Sequence, residues 1–586
     1  MEKLFTPYGP TPGETPLAEH PNPYFERKAY LSLNGPWDFS LDQSLERPAH
    51  YGESILVPFA AETPLSGVGR KVNRGDVLHY RKEICFPEEY VGKAGRIVFT
   101  AVDQVADVYL NGSWAAHHEG GYLPFEIAIP NVEERMTIEL RVQDDTDSPI
   151  FPRGKQSNRP GGIWYTATSG IYGPVYFESL PKEGHIESLQ VEPDYDERNL
   201  IIKARIAGDF SPIHVKCFLL DHLVGEIDIG TTLHGEVSHA ADFFPWSPET
   251  PTLYRFVATM GRDEVQGVYS FRKVERRKIG PFERFLLNGT PVLLNGVLDQ
   301  GYAPESGLTY PSYRAMEADL DFLKAAGFNF LRKHIKIEPL RFYYLCEKKG
   351  IMVAQDFVNG GRPYSFFYIA LRPFLNFDVD DLSYRHLGRE DKAGRDFFEE
   401  TMEPTVKYLS PASSIVFWTL FNEGWGQFDS DRLASKLKSL DPTRLVDATS
   451  GWYDKGSGDF SSHHVYFWKV KLHNDGKRIL SLSEFGGYSL ATEGHLYSKK
   501  KFGYRLFKNS EALLAGLRKL YKTEIVPLVL KEGLSVLVLT QLSDVEEEIN
   551  GLLSYDRKVC KINPALLKEE MDEVQSAFQE ALREER

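Results

Sequence analysis

Residues 415–428 read IVFWTLFNEGWGQF. The first seven are β-branched, aromatic or apolar on both faces, the pattern of a strand buried on both sides. That strand runs straight into Asn422-Glu423-Gly424, so an amide and a carboxyl stand where it emerges, followed by a turn residue. Catalytic groups of a parallel α/β barrel sit at the C-terminal ends of its strands. Glu423 is therefore the first candidate for chemistry.

Working outward, strands alternate with helical patterns from residue 276 to the end. Eight strand candidates fall at 293–298, 329–334, 352–357, 415–421, 445–449, 464–468, 479–483 and 534–541. Met316, Leu320 and Leu323 share one helical face, as do Leu567, Met571, Val574, Phe578 and Leu582 near the end. Eight β/α units over residues 276–586 predict a (β/α)8 TIM barrel. A long loop, 359–395, is expected over its mouth.

Polar residues gather where these strands should finish. They are Asp299 and Gln300 after the first, Arg332 and His334 on the second, Asp356 on the third, Tyr466 on the sixth and Glu484 on the seventh. Glu484 repeats the setting of Glu423: a short apolar strand, a carboxyl, then Phe485-Gly486-Gly487. Either carboxylate alone is also what an ordinary strand end carries. Two of them on different strands of one barrel mouth are what glycosidic cleavage requires, one to protonate the leaving oxygen and one to attack or to activate water.

Upstream, residues 1–180 read as all-β, with short runs at 30–33, 37–41, 77–85, 96–100, 106–110, 136–142 and 175–180 between turns. Asn34-Gly35 and Asn111-Gly112 are two-residue hairpin signals. A jelly-roll sandwich is expected. Residues 159–174 are glycine-rich and aromatic; they read either as a packed connection or as a loop offering Trp164 and Tyr165 to a sugar. Residues 181–275, with strands expected at 186–191, 200–206, 213–220, 235–241, 253–260 and 268–274, suit an immunoglobulin-like β-sandwich acting as a spacer. A further hairpin is expected around Asn288-Gly289.

Composition narrows the partners. A net charge of −15 spread along the chain argues against nucleic acid or an anionic membrane as partner. No run of about 18 apolar residues predicts a transmembrane helix. The first residues show no apolar signal-peptide core, and the four cysteines show neither metal spacing nor a disulfide ladder. A cytoplasmic protein with free thiols and no metal or other cofactor is expected; a homo-oligomer is left open.

The chain resembles glycoside hydrolase family 2, the group of β-galactosidases, β-glucuronidases and β-mannosidases. The motifs that carry the resemblance are Asp107-Val-Tyr-Leu-Asn-Gly112, Gly120-Gly-Tyr-Leu-Pro-Phe125, Ser169-Gly-Ile-Tyr-Gly-Pro-Val175, Arg332-Lys-His334, Phe421-Asn-Glu423 and Ser483-Glu-Phe-Gly486. The resemblance implies three domains: a sugar-binding-like jelly roll, an immunoglobulin-like sandwich and a catalytic barrel. It implies a retaining exo-β-glycosidase, with Glu423 as acid/base and Glu484 as nucleophile. It further implies that Asn422 holds the sugar 2-hydroxyl. His334, Asp299, Arg332, Tyr466, Trp452 and Trp468 are the remaining candidates for holding substrate or supporting the pair.

Some features depart from the family pattern. Strand two lacks the usual serine and tyrosine around its histidine, and strand eight lacks a tryptophan. The Asn-x-Lys motif of β-glucuronidases is missing, and Asp544 with Glu546, Glu547 and Glu548 stands in that region. That acidic run is expected to face the mouth and disfavour an anionic sugar, which favours a neutral β-galactoside, with a β-mannoside next. The rivals are a β-glucuronidase and a carbohydrate-binding relative without catalysis.

Overall fold

The computed structural model describes residues 3–11, 13–371, 375 and 378–585. Its C-terminal part is a single eight-stranded parallel sheet rolled into a barrel. The strands are β1 (Leu294–Asp299), β2 (Phe330–Lys333), β3 (Met352–Asp356), β4 (Ile415–Asn422), β5 (Leu445–Ser450), β6 (Phe460–Val465), β7 (Ile479–Gly486) and β8 (Val536–Thr540). Pairing runs β5-β4-β3-β2-β1-β8-β7-β6, and β5 and β6 meet through Asp459 N–H to the Val446 carbonyl at 2.7 Å and Ser462 Oγ to Asp447 at 2.6 Å.

β4 is buried at all eight positions. Phe417 fills the barrel interior, with its ring 5.7 Å from Phe330 and 4.5 Å from Phe460. Trp418 points outward, and its indole N–H donates to Asp441 at 2.9 Å. Truncating such a core aromatic costs about 3–5 kcal/mol. Trp246 and the hairpin residues Phe285 and Leu287 plug the lower end of the barrel. That leaves the C-terminal ends of the strands as the open face. The hairpin turns at Asn288 and Gly289, both with positive φ (53° and 76°), as the pair requires.

One strand is displaced from its expected place. β6 spans Phe460–Val465 rather than 464–468, because Phe460 pairs with Ile479 at the level where its neighbours begin. The aromatic run that looked strand-like lies beyond its end, with Phe467 and Trp468 exposed.

The first β domain packs a six-stranded antiparallel sheet against a four-stranded one, around Trp37, Phe39, Tyr80, Phe99 and Phe177. Asn111-Gly112 makes its hairpin, between Val105–Leu110 and Ser113–Glu119. Asn34-Gly35 does not. Tyr30–Ser32 belongs to the four-stranded sheet and Gly35–Asp42 to the six-stranded one. The Asn34 side chain instead bonds the Pro16 and Leu17 carbonyls and the Val175 N–H, fixing a crossover between the two layers.

The second sandwich sets a five-stranded sheet on a three-stranded one around Ile186, Val215, Phe256 and Val265. Its last strand is Asp263–Tyr269, earlier than expected, and His222–Ile229 is an additional strand. Glu26–Arg27, from the N-terminal region, also joins it. Arg27 bonds both Glu178 and Asp263, so one buried guanidinium ties the two sandwiches together. Among the described residues, no helix is long and apolar enough to cross a membrane.

Candidate active site

Glu423 follows β4 with φ at 48°, in the left-handed region that a non-glycine residue enters at a cost. Its N–H donates to the Ser450 carbonyl at 2.9 Å, and Gly424 continues the turn at φ 72°. The strand end is thereby bent and Glu423 is aimed across the mouth. His464 Nδ1 lies 2.8 Å from Glu423 Oε1. One oxygen of Glu423, one of Glu484 and a nitrogen of His464 all lie within 4.8 Å of one another. These three donors are also the described residues that could bracket a cation.

Arg332 organises the floor. Its guanidinium grips both Asp356 oxygens at 2.9 Å each, and reaches Asn422 Oδ1 at 2.7 Å, Ser450 Oγ at 2.8 Å and Glu484 Oε1 at 3.1 Å. Tyr466 donates to Glu484 Oε2, meets Thr540 Oγ1 at 2.9 Å, and stacks on Tyr504 with ring centroids 4.0 Å apart. The Asn422 amide nitrogen is buried and has no partner among the described residues.

The two carboxyls are driven in opposite directions. Burial raises Glu423; the hydrogen bond and charge of His464 offset this only in part, and the Glu484 charge adds to the rise. Burial raises Glu484 as well, but the charges of His464 and Arg332 and the Tyr466 hydrogen bond outweigh it, so this carboxyl lies below its ordinary value. One group is prepared to hold a proton and the other to be ionised. Burial pushes the His334 imidazole down to about 4 despite its Asp356 partner at 2.9 Å. Near neutral pH it is uncharged. Asp356 can only accept, so Nδ1 carries the proton and Nε2 is left as an acceptor.

Of the expected residues, Glu423, Glu484, Asn422, Arg332, His334 and Tyr466 come together. Asp299 does not. Along β1 it points to the outer face, where Lys333 Nζ holds it at 2.6 Å, and that ammonium lies 4.0 Å over Phe342 in the surrounding helix layer. A one-residue step in a strand changes the face. Trp468 is 74% exposed, past the end of β6. Trp452 lies at the edge, its ring 6.4 Å from His464.

The acidic run after β8 is engaged in specific contacts. Glu546 accepts the Thr166 N–H at 2.8 Å, Glu547 the Gly162 N–H at 3.1 Å, Glu548 the Tyr165 hydroxyl at 2.5 Å, and Asp544 is held by Lys561 at 2.6 Å. Glu546, Glu547 and Glu548 dock the 159–174 segment of the first domain onto the barrel, while Asp544 is paired within the barrel. Tyr165 is consumed in that docking. Trp164 reaches the mouth, its ring 5.0 Å from Trp425. The loop over residues 359–395 adds to the same rim: the Asn359 carbonyl accepts from Arg153 and Gly154 N–H, and Leu387 accepts from Gly426 N–H. Residues 372–374 and 376–377 of that loop lie outside the described residues.

Four contributors escaped the sequence reading: His464, Ser450, Ser483, whose Oγ accepts from Ser450 Oγ at 2.9 Å, and Lys155, whose ammonium lies 4.9 Å from the Trp425 ring. His464 could have been found from its spacing to Tyr466, and Ser450 from its place at the end of β5. Lys155 carries no local signal, since it comes from the first domain.

Residues 280–481 match the family described as "Glycosyl hydrolases family 2, TIM barrel domain". Residues 280–481 are thus a barrel domain of the glycoside hydrolase family 2 kind. The chain is 26% identical over 350 residues to a β-galactosidase of Thermoanaerobacter pseudethanolicus, covering 55% of this chain and 44% of that one. It is also 26% identical over 417 residues to a putative β-glucuronidase of Formosa agariphila, covering 66% and 48%. This chain spans less than half the length of these curated relatives. Among solved structures, a β-D-glucuronidase of Dictyoglomus thermophilum superposes with TM-score 0.72 at 18% identity, over 93% of this chain and 98% of that one. A family 2 β-galacturonidase of Eisenbergiella tayi does so with TM-score 0.69 at 18% identity, over 94% and 98%. These likenesses show the shared three-part fold.

Proposed function

We propose that this chain is a retaining exo-β-glycosidase that hydrolyses a terminal β-glycoside by double displacement. The observation that carries it is the opposed pair: Glu423 raised, Glu484 lowered, with oxygens within 4.8 Å of each other. Retaining enzymes hold their carboxyls about 5–5.5 Å apart, inverting ones about 6.5–9.5 Å. In the first step Glu423 gives its proton to the leaving oxygen while Glu484 attacks the anomeric carbon. In the second, Glu423 takes a proton from water, which displaces Glu484. The unpartnered Asn422 amide donates to the sugar 2-hydroxyl, and His334 Nε2 accepts from another hydroxyl.

A β-galactoside is the first substrate to try, because several curated relatives carry the name β-galactosidase. Four free cysteines support a reducing, cytoplasmic setting. The test is incubation with activated 2-deoxy-2-fluoro aryl β-glycosides, followed by peptide mass mapping. A glycosyl adduct on Glu484 is expected. Turnover whose first-formed sugar has the inverted anomeric configuration ends the retaining reading.

A further inference from the structure

Lys155 enters the barrel mouth from the first domain, beside the short strand Gln156–Ser157. It is 5% exposed. Among the described residues, no carboxylate oxygen lies within 4.0 Å of its ammonium. The ammonium instead lies among three aromatic rings, 4.9 Å from Trp425, 5.5 Å from Tyr165 and 5.9 Å from Trp164. The Trp425 ring in turn lies 6.2 Å from the His334 imidazole, which puts the ammonium beside the His334 side of the barrel mouth, where its charge lowers both Glu423 and His334.

An ammonium on a side chain only 5% exposed, without a paired carboxylate, is costly, and aromatic faces repay only part of that cost. Glu548 shares Tyr165 with it as a neighbour but is taken by the Tyr165 hydroxyl. The Trp425 indole N–H, buried beneath the ammonium's ring contact, also has no partner among the described residues. A neutral hydroxyl is served by an amide, as at Asn422; an uncompensated cation complements net negative charge.

We propose that Lys155 is the anion-reading residue of the sugar site, taking a carboxylate or a sulfate ester carried by the sugar that is cleaved. This rests on the glycosidase reading above and narrows its substrate to an anionic β-glycoside. Recognition comes from the first domain, so the barrel alone does not complete the site.

The test is calorimetric binding to the full chain of galacturonate, glucuronate and galactose 6-sulfate, each beside its neutral parent sugar. At least one anion should bind about 30-fold more tightly than its parent. K155M should collapse that ratio and K155R restore part of it, and the identity of the preferred anion separates carboxylate from sulfate. The proposal is overturned if the parents bind as tightly as the anions, if no anion binds, or if the ratio survives in K155M. Anion preference without labelling of Glu484 would remove the glycosidase and leave the subsite. Labelling without anion preference would do the reverse.

Discussion

His464 Nδ1 stands 2.8 Å from Glu423 Oε1, while its other nitrogen meets Ser450 Oγ at 2.9 Å and lies 3.6 Å from Glu484 Oε1. One imidazole thus touches the proposed acid and faces the proposed nucleophile. Its hydrogen bond and charge pull Glu423 down against burial. Replacing His464 by Ala leaves burial less opposed, so the Glu423 carboxyl rises. The general acid works protonated, so the alkaline limb of kcat/KM should move to higher pH. The rate at the optimum should fall about 10²-fold as Glu423 loses its orientation. An unmoved alkaline limb would contradict this role.

The two carboxylates should also be separable by rescue. With an activated aryl glycoside and azide, Glu484→Ala opens the α face, and the product should be the α-glycosyl azide. Glu423→Ala still forms the glycosyl-enzyme, and azide then enters from the β face to give the β-glycosyl azide. Without azide, loss of the acid/base should cost about 10²–10⁴-fold on a poor leaving group. Proton NMR of the two azides decides the assignment; the same anomer from both variants refutes it.

Arg332 is 1% exposed and bonds Asp356, Asn422, Glu484 and Ser450. Arg332→Met strands two buried carboxylates, at a cost of about 3–5 kcal/mol. Calorimetry should show the barrel melting earlier. An unchanged transition would mean that these contacts contribute little.

Asn422→Ala should lower kcat/KM strongly for a full substrate and far less for its 2-deoxy analogue, because each change removes the same contact. Equal losses on both substrates would place Asn422 elsewhere in the mechanism.

Glu546, which docks Thr166, is raised by burial to about 7. In the unfolded chain a Glu titrates near about 4.3. The folded value is the higher one, so this group's contribution to stability is complete below the unfolded value and is lost as pH rises through about 7. Glu546→Gln should make the fall in Tm across that interval shallower. A slope identical to wild type would remove Glu546 from the account.

The barrel, the resemblance to the family and the placing of Glu423 and Glu484 at strand ends were legible in the sequence because each has a local signature. β4 is apolar through Ile415–Phe421 and then abruptly polar, β7 repeats the motif at Glu484, and Asn288-Gly289 dictates its own turn. Where the signal was only composition it misled. The aromatic run after His464 looked like strand but lies past the end of β6, and Asn34-Gly35 looked like a hairpin but crosses between sheets.

What the chain determined by itself, then, is a barrel with Glu423 and Glu484 at its open end, since periodicity and strand-end chemistry are written in neighbouring residues. Only the tertiary structure decided which polar groups face that end. Asp299 and Lys333 turn outward by the parity of their strands. Glu546–Glu548 are spent on docking the first domain. Lys155 arrives beside Trp425 at the barrel mouth from more than 250 residues before Glu423. Such positions depend on register and on contacts between domains, and no local pattern encodes either.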